Sequence, residues 1–254
     1  MRILVTNDDG IHSPGLDALA RIASELSGDV WVVAPEHDQS GVAHSLSLND
    51  PLRLRQLGDR RFAVRGTPTD CVILAARHIL DVPPDLVLSG VNRGHNLAED
   101  VSYSGTVAGA IEGALLGVPA MALSQAYPRG TREQVSYDCA EAHGPAVISS
   151  VLEGGLRAGS VANINFPPVG PDEVEGVLAT RQGRRSQWRA QVEGRNDGRG
   201  NPYFWLTFGH ELGEPPRDTD LWAVRERFIS VTPLSLDMTD ERMLGSLSSV
   251  LRTR

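Results

Sequence analysis

Short apolar runs alternate along the first two thirds of the chain with longer stretches in which apolar positions return every three or four residues. Ile3 to Thr6, Val30 to Ala34, Leu86 to Ser89, Ala120 to Leu123 and Val161 to Phe166 are bounded by turn residues, and most are rich in β-branched side chains. That is the pattern of strands buried on both faces of a parallel sheet. Between them, Gly15 to Leu26, Pro68 to Leu80, Thr106 to Leu116 and Tyr137 to Leu156 show helical spacing. Repeated strand, helix, strand predicts a doubly wound, mostly parallel α/β sheet with ligands at the C-terminal ends of its strands. Thr67 followed by Pro68 offers a capping hydroxyl before a residue preset for a first helical turn, and Asp70 adds favourable negative charge there. Arg53 to Val64 reads as a small hairpin turning through Gly58-Asp59.

The pattern changes after about Pro167. From Arg181 to Arg217 the chain is rich in arginine, glycine and polar residues, with an aromatic island at Tyr203, Phe204 and Trp205, before Leu221 to Val231 resumes a strand-like pattern. An excursion from the core is expected, and exposed aromatics between loop segments mark partner surfaces. The whole chain is read as one domain, with residues 1–170 as the catalytic core and 171–254 as a C-terminal hairpin and subunit-exchange segment. Its last third looks better suited to pairing with another subunit than to completing a sheet of five strands, so a homodimer or homotetramer is expected. On that reading a cut near Gly176 removes the arm and leaves the core.

A chain of 254 residues buries a sizeable core without covalent staples. Cys71 and Cys139 fall in predicted helices, where thiols pack as small apolar groups, which suits a reducing, cytoplasmic setting. The opening apolar run is too short for an export signal, and no apolar stretch is long enough to cross a bilayer. The formal net charge of −8 disfavours a surface that coats nucleic acid. A protein so charged needs local positive charge to handle an anionic substrate, and a metal ion would supply it.

Four segments then carry candidate chemistry, and each has a plainer reading. Asn7-Asp8-Asp9-Gly10 follows the first strand; adjacent carboxylates suit a hard divalent cation, or else form a solvated acidic turn. Ser40-Gly41, after the second strand, offers a hydroxyl oxygen or an ordinary turn. Asn92 to Asn96, after the third, combines two amides with glycines that let backbone approach a ligand, or forms an Asx-type turn. Tyr103-Ser104-Gly105-Thr106 opens a helix and presents hydroxyls, free N–H groups and a positive dipole end to a phosphate, or is only a capped helix. All four converge on one edge of the sheet.

Taken in order, Thr6-Asn7-Asp8-Asp9-Gly10, Ala34-Pro35 through Ser40-Gly41, Gly66-Thr67-Pro68-Thr69-Asp70, Ser89 to Asn96 and Asp100 to Val107 resemble the signature of the SurE survival-protein family. Asn163 to Pro167, Thr180-Arg181, Asp218-Thr219-Asp220 and Ser230 to Leu234 are similar to it as well, so the resemblance spans nearly the whole chain. It implies a Rossmann-like core and one divalent cation per subunit, Mg²⁺ or Mn²⁺, held by Asp8, Asp9, Ser40 and Asn92. Phosphate would be received by Asn96 and the Ser104-Gly105-Thr106 helix start. The implied substrates are nucleoside 5′- and 3′-monophosphates, with short polyphosphate as a further candidate, in dimers or tetramers that exchange C-terminal segments.

Hydrolysis of a phosphate monoester needs charge neutralisation, an in-line nucleophile and help for the leaving alkoxide. Asp8 is the residue expected to touch a reacting water, although attack by Asp8 itself to give an aspartyl-phosphate stays open. His12, His44 and His95 lie near these loops without an assigned role. Arg181, Arg184 and Arg185 could grip phosphate bidentately or simply be solvated. A non-catalytic sensor is disfavoured because paired aspartates without a cation would repel phosphate. A dinucleotide-dependent oxidoreductase is disfavoured because the first strand leads into Asn-Asp-Asp-Gly rather than G-x-G-x-x-G.

Overall fold

The computed structural model describes residues 1–128, 130–131, 134–157, 159–185, 187–211 and 213–251. All five strands expected from the apolar runs are present: β1 (Arg2–Thr6), β2 (Asp29–Pro35), β5 (Leu86–Arg93), β6 (Ala120–Gln125) and β7 (Ser160–Phe166). The hairpin is present too, as β3 (Arg53–Gly58) and β4 (Arg61–Arg65), but it turns through Asp59-Arg60 rather than Gly58-Asp59. Two later strands, β8 (Gly176–Ala179) and β11 (Phe228–Ser235), complete one sheet of nine in the order β3-β4-β2-β1-β5-β6-β7-β11-β8. From β4 across to β7 every pairing is parallel; β11 runs antiparallel to β7.

Alternation along β1 divides the core. Ile3 and Val5 face a cluster with Leu16, Leu19 and Ile22 of α1 (Pro14–Leu26) and with Val147 and Ile148 of α4 (Asp138–Glu153). Leu4 faces the other layer, with Cys71 and Val72 of α2 (Pro68–Leu74) and Val107 and Ala110 of α3 (Gly105–Leu115). Both cysteines are buried and unpaired, in helices as expected. Helix α2 opens on a capping box in which Thr67 and Asp70 bond each other's backbone N–H, and a π-helical turn (Ala75–Ile79) continues it.

Helix α3 approaches the sheet closely along Gly105, Gly109 and Gly113, one per turn. A Cβ on Gly105 would stand 2.8 Å from Asp8 Cβ, one on Gly109 2.9 Å from Ser89 Oγ, and one on Gly113 2.8 Å from Val87 Cβ. The chain leaves β1 toward β2 on one side and later returns as β5 on the other. The strand order therefore reverses between β1 and β5, which opens a crevice at their C-terminal ends.

The last third departs from the expectation in two ways. Leu221 to Val231 is not one strand: Thr219 caps α5 (Asp220–Arg225), which buries Leu221 and Val224 one turn apart, and β11 begins only at Phe228. Four apolar positions in so short a run fit either period, and the cap decides. Moreover β11 does complete the sheet rather than leave it, pairing with both β7 and β8. The excursion itself is an antiparallel ribbon of β9 (Gln187–Asn196) and β10 (Pro202–Glu211), bonded to no other strand among the described residues. Ser186 and Leu212, within the same excursion, lie outside the described residues. Helix α6 (Glu241–Val250) follows and buries none of its residues.

Candidate functional site

Asp8 stands immediately beyond β1 and is 3 % exposed. The Thr106 hydroxyl of α3 donates to its Oδ1, and Gly105 packs against its Cβ. Burial pushes the carboxyl up strongly; the neighbouring Asp9 and Asp38 add to this, the Thr106 bond opposes it, and the outcome is about 7. No lysine, arginine or histidine among the described residues pairs with Asp8. Such an arrangement invites a cation.

The loop after β2 comes back to this point because Gln39 N–H donates to the Asp8 carbonyl at 2.7 Å, and Ala43 N–H donates to the Tyr103 carbonyl at 3.1 Å. Ser40 thereby reaches a cavity of about 220 Å³ that it lines together with Asp8, Asn92, Asn96 and Ser104. Asn92 arrives there through an irregularity in β5, where register against β6 shifts between Ser89 and Asn92. Gly90 makes the shift possible: its φ is +139°, and a Cβ would meet the Leu123 carbonyl at 2.2 Å. The Asn92 amide N–H bonds the Gly94 carbonyl at 2.8 Å.

Asp9 points to the adjoining cavity, of about 330 Å³, where it stands with His12, His37, Asp38 and Tyr137; Arg93 lines both cavities. Its Oδ2 accepts the Arg93 backbone N–H at 2.9 Å, which ties it to the residue that lines both spaces. Among the described residues no group of three or more His, Cys, Asp or Glu could hold a metal. The set brought together here instead mixes carboxylate, hydroxyl and amide oxygen, a hard donor set that fits Mg²⁺ or Mn²⁺ far better than zinc.

On the opposite wall Ser104 caps α3, its Oγ accepting from Val107 N–H at 3.0 Å. Asn96 is fixed on every side. Its N–H donates to Asn165 Oδ1, its side-chain amide to Ser124 Oγ, and its carbonyl accepts from the Asn163 amide, each at 2.8 Å. Ser124, Asn163 and Asn165 have no assignment in the sequence reading. The available signal was two asparagines at alternate positions of an otherwise apolar strand, which on a sheet must share one face.

The histidines separate. His12 lines the adjoining cavity, His44 meets Glu112 at 3.0 Å, and His95 lies on the rim with Nδ1 3.5 Å from Asp100. The arginines separate as well. Arg181 and Arg184 are exposed, Arg181 pairing with Asp218, whereas the Arg185 side chain is 1 % exposed and spends its guanidinium on Asp100 and Glu99. The solvated reading therefore fails for Arg185, and its fork is not free to grip a phosphate. Burial alone would raise Asp100, but the bonds from His95 and Arg185 outweigh it and hold this carboxyl below its usual range.

Comparison with known proteins gives a consistent result. A family model described as Survival protein SurE matches residues 3–189. The chain is similar to the 5′-nucleotidase SurE of Methylorubrum populi, 61% identical over 99% of this chain and 100% of that one. It is similar also to the 5′-nucleotidase SurE of Azorhizobium caulinodans, 62% identical over 100% of both. Its fold matches the crystal structure of the SurE protein from Aquifex aeolicus with a TM-score of 0.84 at 39% identity, over 98% of this chain and 99% of that one. With strand order, loop placement and full-length similarity all in agreement, this chain belongs to the SurE family.

Proposed function

We propose that this chain is a divalent-cation-dependent phosphatase that hydrolyses nucleoside 5′- and 3′-monophosphates, with short polyphosphate as a secondary substrate. The observation that carries the reading is the buried Asp8 carboxylate, set without a cationic partner among the described residues against the start of α3 and sharing its cavity with Ser40 and Asn92. Names of close relatives supply the substrate class, since they are 5′-nucleotidases.

Asp8, Asp9, Ser40 and Asn92 would hold one Mg²⁺ or Mn²⁺, which when bound supplies Lewis-acid neutralisation of the phosphoryl oxygens. Ser104 consumes the Val107 N–H, and the first intrahelical bond runs from Ala108 N–H to the Ser104 carbonyl. The N–H groups of Gly105 and Thr106 are thus the donors a phosphate meets, at the positive end of the helix. Asn96, immobilised by its three partners, lines the same cavity and would border the bound phosphate. Asp8 orients the attacking water and accepts its proton, while the Thr106 hydroxyl keeps the receiving carboxylate in place. The direct test is phosphate release from a panel of nucleoside 5′- and 3′-monophosphates with Mn²⁺ present. Release from the 5′-esters is expected, and its absence from the whole panel would overturn the reading.

The β9–β10 ribbon and α6 form the proposed subunit-exchange arm. Phe204, Trp205 and Leu206 on the ribbon, and Met243, Leu244 and Val250 on α6, are all exposed, more apolar surface than an isolated chain ordinarily leaves in water. A cut at Gly176 would not isolate this role, because it also removes β8 and β11 from the sheet. Replacing residues 187–211 with a short Gly-Ser link spares every strand of the sheet, and paired Gln187 and Glu211 leave ends close enough to join. The intact protein is expected to be a dimer or tetramer by light scattering and the deleted one a smaller, folded species. An unchanged assembly, or a monomeric intact protein at micromolar concentration, rules the arm out.

A further inference from the structure

Arg185 is a buried charge that the proposed chemistry does not use. Its Nη1 and Nη2 form a two-pronged contact with Asp100, at 3.1 and 2.7 Å, and Nη1 also donates to the Leu97 carbonyl at 3.1 Å and lies 3.3 Å from Glu99. Its backbone N–H donates to Glu99 at 3.0 Å. The neighbouring residues act on the same segment: Gln182 donates to the Ala98 carbonyl at 2.8 Å, and Asp220, itself fixed by Gly183 and Leu221 N–H, accepts from Ala98 N–H at 2.9 Å.

Ala98 needs this support. Its φ is +54°, a left-handed conformation that an L-residue with a Cβ adopts only when its surroundings impose it. Both of its backbone polar groups are held by the C-terminal segment. Two residues on, the Asp100 carbonyl accepts from both Tyr103 and Ser104 N–H, each at 3.0 Å, and Ser104 is the cap of α3. An unbroken run of bonds therefore leads from Arg185 through Asp100 to the turn that presents Ser104, Gly105 and Thr106.

We propose that Arg185 is a positioning residue for the phosphate turn: its buried fork fixes residues 97–100 and so sets the start of α3 at the height an incoming phosphate requires. The inference rests on the phosphatase reading for its consequence in turnover, and on phosphate binding alone for its test. Glu99 and Asp100 stand beside a site for an anion, and Arg185 also helps neutralise them, with His95 contributing at Asp100. Lysine could supply the charge but not the planar, two-pronged contact.

The test compares Arg185→Gly and Arg185→Lys with wild type, using inorganic phosphate on the Mn²⁺-loaded protein as a calorimetric ligand and as a competitive inhibitor, and Mn²⁺ alone in a separate titration. Arg185→Gly is expected to weaken phosphate binding about 30-fold, a scale taken by analogy from residues that orient metal ligands, with Mn²⁺ affinity unchanged. Arg185→Lys should weaken it comparably, and methylguanidinium should restore binding to the glycine variant but not to the lysine one. Wild-type phosphate affinity in Arg185→Lys would overturn the positioning role and leave only charge. Parallel loss of phosphate and Mn²⁺ affinity, without rescue, would reduce Arg185 to a structural residue. If the glycine variant does not fold, the lysine variant decides alone. Absent nucleotide turnover in wild type, with phosphate binding intact, would count against the phosphatase reading and not against this one.

Discussion

Asp8→Asn is expected to do two things at once: lower kcat by about three orders of magnitude, the scale for removing a principal stabilising group from a phosphoryl-transfer or acyl-transfer site, and stabilise the cation-free protein. The second effect follows from the environment of the carboxyl, which burial and two acidic neighbours push up to about 7. A raised carboxyl costs the folded state stability as pH climbs from the ordinary aspartate range through about 7, and the loss is complete above that. Cation-free wild type should therefore lose roughly 2–4 kcal/mol between pH 4 and pH 8 from this group alone, and Asp8→Asn should not. Denaturant midpoints at several pH values, read beside kcat, check both halves. A variant that is inactive but no more stable at pH 8 would remove burial as the cause, and one that is active would remove Asp8 from the chemistry.

Chelation should abolish turnover and leave the protein less stable than its cation-loaded form. In cation-free wild type at pH 8, adding Mn²⁺ to about a hundred times its dissociation constant is expected to raise stability by roughly 2.7 kcal/mol by mass action, while activity returns from background. Asp8→Asn should show neither response. Full activity in excess chelator, with the metal content measured, would contradict the assignment of Asp8, Asp9, Ser40 and Asn92 as a cation site. A stability increase without recovery of turnover would keep the cation and remove its catalytic part.

The parallel strands were legible because burial on both faces makes Ile3 to Thr6 or Val30 to Ala34 almost wholly apolar, a pattern few other elements produce. Loop chemistry was legible for the same reason in reverse: polar residues such as Asp8 and Asn92 at strand ends, and Ser104 at a helix start, stood out where the topology collects them. What stayed hidden depends on partners distant in sequence. Nothing local tells Arg185 from the exposed Arg184 beside it; only Asp100, 85 residues away, does so. Asn163 and Asn165 look like weak strand residues until Asn96 is packed against them. The sheet's far edge was misjudged because β11 begins after a helix of six residues whose apolar spacing imitates a strand.

The glycine face of α3 also bears on how this site can change. Any side chain larger than hydrogen at Gly105, Gly109 or Gly113 would meet Asp8, Ser89 or Val87 within 2.9 Å, so the phosphate end of the crevice has no adjustable wall. Divergence toward other phosphomonoesters must proceed elsewhere, through the loops that carry Tyr127 and Pro168, which line a larger cavity opening beside His95. In the language of evolvability, the helix is the constant region of this enzyme and those loops are its variable one. A library designed to retarget it would randomise the second and leave the first untouched.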